Sequence, residues 1–272
     1  MVVANATTDA DRSGFVLGVS GTVWPVTEQY ATSPTPPRVD REVVSFVRRS
    51  ARMRPTHQQA WERLRHRYVI DVPRRTTSTS ISSGQSFDLV GVFGRRAPLV
   101  VEIGPGTGES LVAMASARPD VDIVAFEVYL PGLARLVRLL DAEQVGNVRL
   151  VQGDAVDGLR NLLPADALVD ETWTFFPDPW PKARHHKRRL VTAAFADLVS
   201  SRLASGGVWR LATDWQDYAD QMRTVLDVHP ELENLGGADR WSKRYPARPI
   251  TRFEQRGIEA GRTVRDLTYR RR

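Results

Sequence analysis

The sequence predicts an α/β fold, a mostly parallel central sheet with helices on both faces. Two observations predict it. From Ala97 onward, short apolar runs alternate with segments of helical character, and the first of those runs leads straight into a glycine-rich turn. Near-continuous apolar strands joined by helices are the pattern of a parallel sheet buried on both faces. Taken in order, Leu99–Ile103 reads as a strand, Ser110–Ala117 as a helix, and Val121–Glu127 as a second strand. Leu130–Leu140 is helical, Val148–Val151 a third strand, and Thr172–Phe176 a fourth. A helix over Val191–Leu203 then precedes a fifth strand at Gly206–Ala212. Upstream, a helix starts near Pro55, since proline suits a first helical turn, and runs through Trp61, Leu64 and Tyr68. No internal repeat is visible.

Composition divides the chain into three parts. Residues 1–40 are rich in Thr, Ser, Ala and Pro, end in Ser33-Pro34-Thr35-Pro36-Pro37, and read as a disordered tail. Residues 41–75 form a basic segment with ten Arg against three acids, and Ser45-Phe46-Val47-Arg48-Arg49 is its basic, partly apolar strip. Residues 76–272 carry the strand–helix alternation. A net charge of +6 favours an acidic partner such as nucleic acid. The absence of cysteine excludes disulfides, thiolate metal sites and cysteine nucleophiles. No apolar run is long enough to span a bilayer, and the N-terminus lacks the basic start of a signal peptide, so the expected compartment is the cytoplasm, with no membrane partner.

The turn Glu102-Ile103-Gly104-Pro105-Gly106-Thr107-Gly108 is a nucleotide-binding signal. Gly104 and Gly106 permit a tight turn, and Gly108 is expected to let the helix begin close to the ligand. Such a triplet is common, so the neighbouring acids decide its meaning. Glu102 would repel a pyrophosphate at this strand end. It suits S-adenosylmethionine, which has no phosphate but carries a sulfonium and an ammonium. Glu127 ends the second strand nineteen residues after Gly108, where an acid can accept both ribose hydroxyls. Asp154 follows the third strand and would lie by the adenine. On its own it reads better as a helix N-cap, because Asp is a favoured cap. Three acids at successive strand ends form one rim where open α/β sheets bind ligands.

After the fourth strand comes Phe175-Phe176-Pro177-Asp178-Pro179-Trp180. Two prolines fix this backbone as a rigid, non-helical loop carrying one carboxylate and one indole. Trp180 could stack on a base or the cofactor, or pack on the core. Lys182-Ala183-Arg184-His185-His186-Lys187-Arg188-Arg189 follows, with five fixed positive charges and no acid between Asp178 and Asp197. A basic run beside a pocket suits phosphate contacts. His185 and His186 are adjacent, point apart and lack a carboxylate at ligand spacing, so no metal is expected.

With these residues in hand, the chain resembles the bacterial tRNA (guanine-N7)-methyltransferase family. The resemblance runs in order from Ser45–Arg49 through the glycine loop, Phe175–Trp180 with Lys182–Arg189, and Ala212-Thr213-Asp214-Trp215, to Pro249-Ile250-Thr251-Arg252-Phe253-Glu254-Gln255-Arg256-Gly257. It implies a Rossmann-like class I methyltransferase fold and S-adenosyl-L-methionine as cofactor. The implied substrate is a guanine of the tRNA variable loop, conventionally tRNA position 46. It places the cofactor acids on Glu102, Glu127, Asp154 and Asp178. The substrate contacts fall on Lys182, Asp214, Thr251, Arg252, Phe253 and Glu254, and the RNA-contacting segment on Arg184, His185, His186, Lys187, Arg188 and Arg189. The first forty residues match nothing in the family pattern. A monomer or a homodimer is compatible with it.

Guanine N7 carries a lone pair and no proton, so its methylation needs no general base and rests on alignment. Asp178, on the stiffer loop, is the expected catalytic residue, holding the guanine edge or stabilising charge on the purine. Three rivals remain. A dinucleotide-dependent dehydrogenase would space its glycines Gly-x-Gly-x-x-Gly, and here Gly108 comes one residue early. An exocyclic-amine methyltransferase would favour Asn/Asp-Pro-Pro-aromatic over Pro-Asp-Pro-Trp. A non-catalytic RNA binder would have no affinity for the cofactor.

Overall fold

A computed structural model describes residues 53–75, 79–84, 86–163 and 168–272. All lie within one compact unit, Glu42–Arg272. The tail over residues 1–40 and the strip Ser45–Arg49 fall outside the described residues. In chain order the elements are α1 (Pro55–Tyr68), α2 (Leu89–Phe93), β1 (Leu99–Ile103), α3 (Glu109–Ala117), β2 (Asp122–Glu127), α4 (Leu130–Ala142), β3 (Val148–Gln152) and α5 (Ala155–Asn161). Then follow β4 (Val169–Phe175), a short 3-10 helix (Ala183–Arg188), α6 (Ala193–Arg202), β5 (Leu203–Thr213), α7 (Gln216–Asp227), β6 (Leu232–Asn234), α8 (Arg252–Glu259) and β7 (Arg265–Arg271).

The seven strands form one sheet in the order β3-β2-β1-β4-β5-β7-β6. β1 to β5 are parallel, while β7 inserts antiparallel between β5 and β6. Strand alternation splits the core in two. Val101, Ile103, Val124, Phe126 and Trp209 pack with α5, α6 and α7 on one face. Val100, Ile123, Ala125, Leu150 and Trp173 pack with α1, α3 and α4 on the other. Helices on both faces of a mainly parallel sheet are the predicted class.

The described part of the basic N-terminal segment, residues 53–75, packs within this unit. Proline at the first helical position starts α1, and Ala60, Leu64 and Tyr68, spaced four apart, are its buried stripe. Arg67 reaches Asp141 on α4 at 3.2 Å. Beyond the helix, Val69 pairs in parallel with Leu150, and the Ile70 N–H donates to the Leu150 carbonyl at 2.9 Å. The otherwise open edge of β3 is thereby covered at this point.

Two boundaries move for physical reasons. β4 begins at Val169, earlier than the apolar pattern suggests, because Asp170 and Glu171 are both paired. Asp170 accepts from the Leu99 N–H at 2.8 Å, and Glu171 pairs with Arg118 and Arg210. β5 begins at Leu203, the expected last residue of the helix and three residues before the expected strand start at Gly206, and the β4–β5 register shifts between Val169 and Glu171. β4 stops at Phe175, since Phe176 turns into the left-handed region at φ 52°.

Candidate active site

The strand order reverses between β1 and β4, and their C-terminal ends open a crevice there. β1 delivers Glu102 to it, and the turn after β1 runs through Gly104, Gly106 and Gly108 at φ 73°, 59° and 79°. Glu102, Gly104, Gly106 and Thr107 line a cavity of about 410 Å³. Gly108 does not line it. A Cβ there would collide with the Leu136 side chain of α4, so Gly108 serves the packing of two helices, where the sequence had suggested ligand approach.

The rim acids differ in how they are held. Glu127 Oε2 accepts from the Gly106 N–H at 2.9 Å and Oε1 from the Tyr129 N–H at 2.7 Å, so it braces the glycine turn. Its pKa is raised by burial against the pull of these backbone donors, and the nearby charge of Asp178 adds to the rise. Asp154 caps α5, accepting from the N–H groups of Val156 at 2.8 Å and Asp157 at 3.2 Å. It thus fills the cap role while standing just past the end of β3. Glu102 is 3% exposed, and its Oε2 has no hydrogen-bond partner. Burial first, and then the Glu127 charge, push its pKa up to about 8. A buried carboxylate oxygen left unpaired costs stability, and a ligand donor would relieve that cost.

Across the cavity stand Phe175, Phe176, Thr251, Arg252 and Phe253. Thr251 caps α8 by accepting from the Glu254 N–H at 3.2 Å, so Arg252 and Phe253 sit in its first turn. Phe253 is 55% exposed and meets Phe176 edge-on, ring centroids 5.4 Å apart. Glu254 is different. It is 1% exposed, and its carboxylate is held by Arg244 and Arg248. Its expected role as a substrate contact is therefore corrected to positioning α8.

Arg248 was missed in the sequence. Its buried guanidinium bonds Glu254 at 2.9 Å and Asp266 at 2.8 and 3.0 Å, and it lies 5.2 Å over both Phe175 and Phe176. One side chain thus ties α8, β7 and the cavity wall together. Its position directly before Pro249-Ile250-Thr251 was the available signal, but its partner on β7 lies eighteen residues away and leaves no local pattern. Asp214 follows β5 and packs against Gly257 of α8, outside the lining of the cavity. It accepts from Arg262 Nε at 2.7 Å, and Gly257 packs so closely that a Cβ would stand 2.7 Å from Asp214 Oδ2.

The loop Pro177-Asp178-Pro179 is clamped at both ends. Phe176 and Trp180 flank it in the left-handed region, at φ 52° and 44°. The Phe176 N–H donates to the Ala212 carbonyl at 2.7 Å, and Arg189 Nε donates to the Pro179 carbonyl at 2.9 Å. Asp178 stays exposed as a residue, yet the protein around its carboxyl raises its pKa. Trp180 is half-buried beneath Arg188, 5.0 Å from its ring centroid, and edge-on to His185 at 5.8 Å.

The basic run folds as the 3-10 helix and splits in two. Lys182, Arg184 and Lys187 are exposed, and His185, His186 and Arg188 are partly so. Arg189 is 1% exposed and bonds Pro179, Gln221 and Asp217. Its expected contact with RNA is corrected: a guanidinium this deep, with its donors taken, anchors the Asp178 loop. Among the described residues no group of three or more His, Asp or Glu could hold a metal ion.

A family model described as a putative methyltransferase matches residues 96–267. A tRNA (guanine-N(7)-)-methyltransferase of Cutibacterium acnes is 53% identical over 236 residues, 86% of this chain and 85% of the relative. The chain belongs to the tRNA (guanine-N(7)-)-methyltransferase family. A member from Nocardioides is 52% identical over 85% of this chain and 88% of its own length. One from Methylococcus capsulatus is 46% identical over 85% of this chain and 95% of its own length.

Proposed function

We propose that this chain methylates N7 of a guanine in tRNA, the variable-loop guanine at conventional position 46, with S-adenosyl-L-methionine as donor. The observation that carries the reading is the unpaired Oε2 of Glu102 in the wall of a cavity built on the glycine turn. A buried acceptor there fits the donor's ammonium, whereas a phosphate-bearing cofactor would be repelled. When bound, the donor supplies a methyl on a sulfonium; the S–C bond breaks as the N7 lone pair forms the new N–C bond, and the positive charge passes to the purine.

The chain's residues have three tasks. Glu102 holds the ammonium, Glu127 offers its remaining lone pairs to the ribose hydroxyls, and Asp154 borders the adenine. Asp178 accepts from the guanine N1–H and amino group and faces the purine as it becomes cationic. Lys182, Asp214, Thr251, Arg252 and Phe253 position the target nucleotide. The exposed cations Lys182, Arg184 and Lys187, with His185, His186 and Arg188, meet the RNA backbone. The base leaves its stack to enter, at a cost of a few kcal/mol. We place the reaction in the cytoplasm, carried out by a monomer or a homodimer. Among the described residues no helix is long and apolar enough to cross a membrane.

Incubation with methyl-labelled donor and unmodified tRNA places the label on one variable-loop guanine. Replacing that guanine with 7-deazaguanine abolishes labelling, and continued methylation overturns the assignment to N7. Arg189→Gln lowers both the melting temperature and kcat and leaves the salt dependence of tRNA binding unchanged. A smaller salt slope at an unaltered melting temperature would restore Arg189 to the RNA-contacting set.

A further inference from the structure

On the α4 side of the crevice a further set of cations joins Arg252, separate from the basic 3-10 helix. Arg135 lines the cavity together with Arg252 and Arg256 of α8. Arg138 is one helical turn further along α4 and is exposed. α1 lies on this helix, joined to it where Arg63 and Arg67 approach Asp141. Toward the start of α1, His57 feels Arg138, Arg54 and Arg135, whose charges join burial in holding its pKa below the ordinary value. Arg54 and Arg138 have no ion-pair or side-chain hydrogen-bond partner among the described residues, and α1 has no acid in its first turn. Glu109, the carboxylate bonded within this set, is taken by Arg135 and the Arg252 N–H.

Arginines that converge with Glu109 as the carboxylate bonded among them repel one another, and bound anions relieve that repulsion. The set begins at the cavity mouth and leads away from it, which suits a polyanion that also enters the cavity. The basic 3-10 helix follows β4, whereas α4 follows β2 on the other side of β1, so the two cationic surfaces flank the crevice.

We propose that Arg54 and Arg138, continuous with Arg135, Arg252 and Arg256, form a second RNA-phosphate surface, so that the tRNA backbone is gripped on both sides of the crevice. The proposal rests on the tRNA reading for the identity of its polyanion. His57 lies within the surface and is neutral there at pH 7, so Arg54 and Arg138 carry the test.

The experiment is the double variant Arg54→Gln/Arg138→Gln, with unmodified tRNA binding measured by fluorescence anisotropy from 50 to 200 mM salt. Arg54 makes no side-chain cap to α1 and Arg138 is exposed, so both changes leave the fold intact. Removing two phosphate contacts lowers the log–log salt slope by about 1.5 and weakens binding about tenfold. The KM for tRNA rises accordingly, while kcat, S-adenosylhomocysteine affinity and melting temperature stay as in the unaltered protein. A control pair, Arg65→Gln/Arg270→Gln, removes two exposed arginines whose partners are Asp71 and Glu233. An unchanged slope in the first variant, or an equal drop in the control, overturns the proposal. If the unaltered protein binds tRNA without methylating it while the slope still drops, the surface stands and the proposed function fails. If methylation occurs and the slope holds, the surface alone fails.

Discussion

Asp178→Asn lowers kcat by at least about a hundredfold and changes tRNA affinity little. That magnitude is typical for removing one preorganised electrostatic group from a reaction site. The substitution keeps the size of the side chain and removes its charge. The loop does not depend on that charge for its shape, because Phe176 is fixed to Ala212, Pro179 to Arg189, and two prolines set the backbone between them. The altered residue therefore stays in place and fails in two ways. Its amide presents N–H groups toward the guanine donors, and it no longer offsets charge developing on the purine. Because the second effect exists only in the transition state, the loss falls on kcat. Single-turnover rates with saturating cofactor, set beside tRNA binding isotherms, make the measurement. Equal losses in turnover and in binding would sink the catalytic assignment and leave Asp178 as a binding residue.

The parts of this molecule legible in its sequence are those whose signal is local. β1, β2 and β3 are apolar runs, and α1 and α4 have clear stripes; both kinds of element appear within a residue or two of their expected bounds. β7 was not legible. Arg265-Asp266-Leu267-Thr268-Tyr269-Arg270-Arg271 is mostly polar, and it is a strand because β5 and β6 flank it, with Asp266 taken by Arg248. The same distinction runs through the site. Glu102, Glu127 and Asp154 could be placed from strand ends alone. Arg189 looked like its basic neighbours because charge in a sequence carries no depth; only the fold turns it inward to Asp217 and Pro179. Arg248 and Glu254 likewise took their meaning from partners brought together by the closing strand.

Glu102→Gln weakens S-adenosylhomocysteine binding at pH 8 by at least about tenfold, the scale of a lost charge-assisted hydrogen bond. More telling is what it does to the pH dependence. Burial and Glu127 push the Glu102 carboxyl up to about 8 from an ordinary value of 4.5, so folding takes up a proton between those two pH values. Glu102 thus adds stability that is fully present below pH 4.5 and is lost as pH rises toward 8 in the ligand-free protein. Ligand binding runs the opposite way, because only the ionised carboxylate pairs with the ligand's ammonium. Below pH 8 a proton must leave Glu102 for the pair to form, and affinity falls toward tenfold for each unit of acidification. Calorimetry at pH 6.5, repeated in buffers of different ionisation enthalpy, reads that proton directly: close to one is released per ligand bound. The Gln variant has no such proton to lose, so its proton release vanishes and its affinity becomes nearly flat from pH 6 to 7.5. The unpaired Oε2 would then lie outside the cofactor site if the unaltered protein released no proton, or if the variant kept the same pH profile at the same affinity.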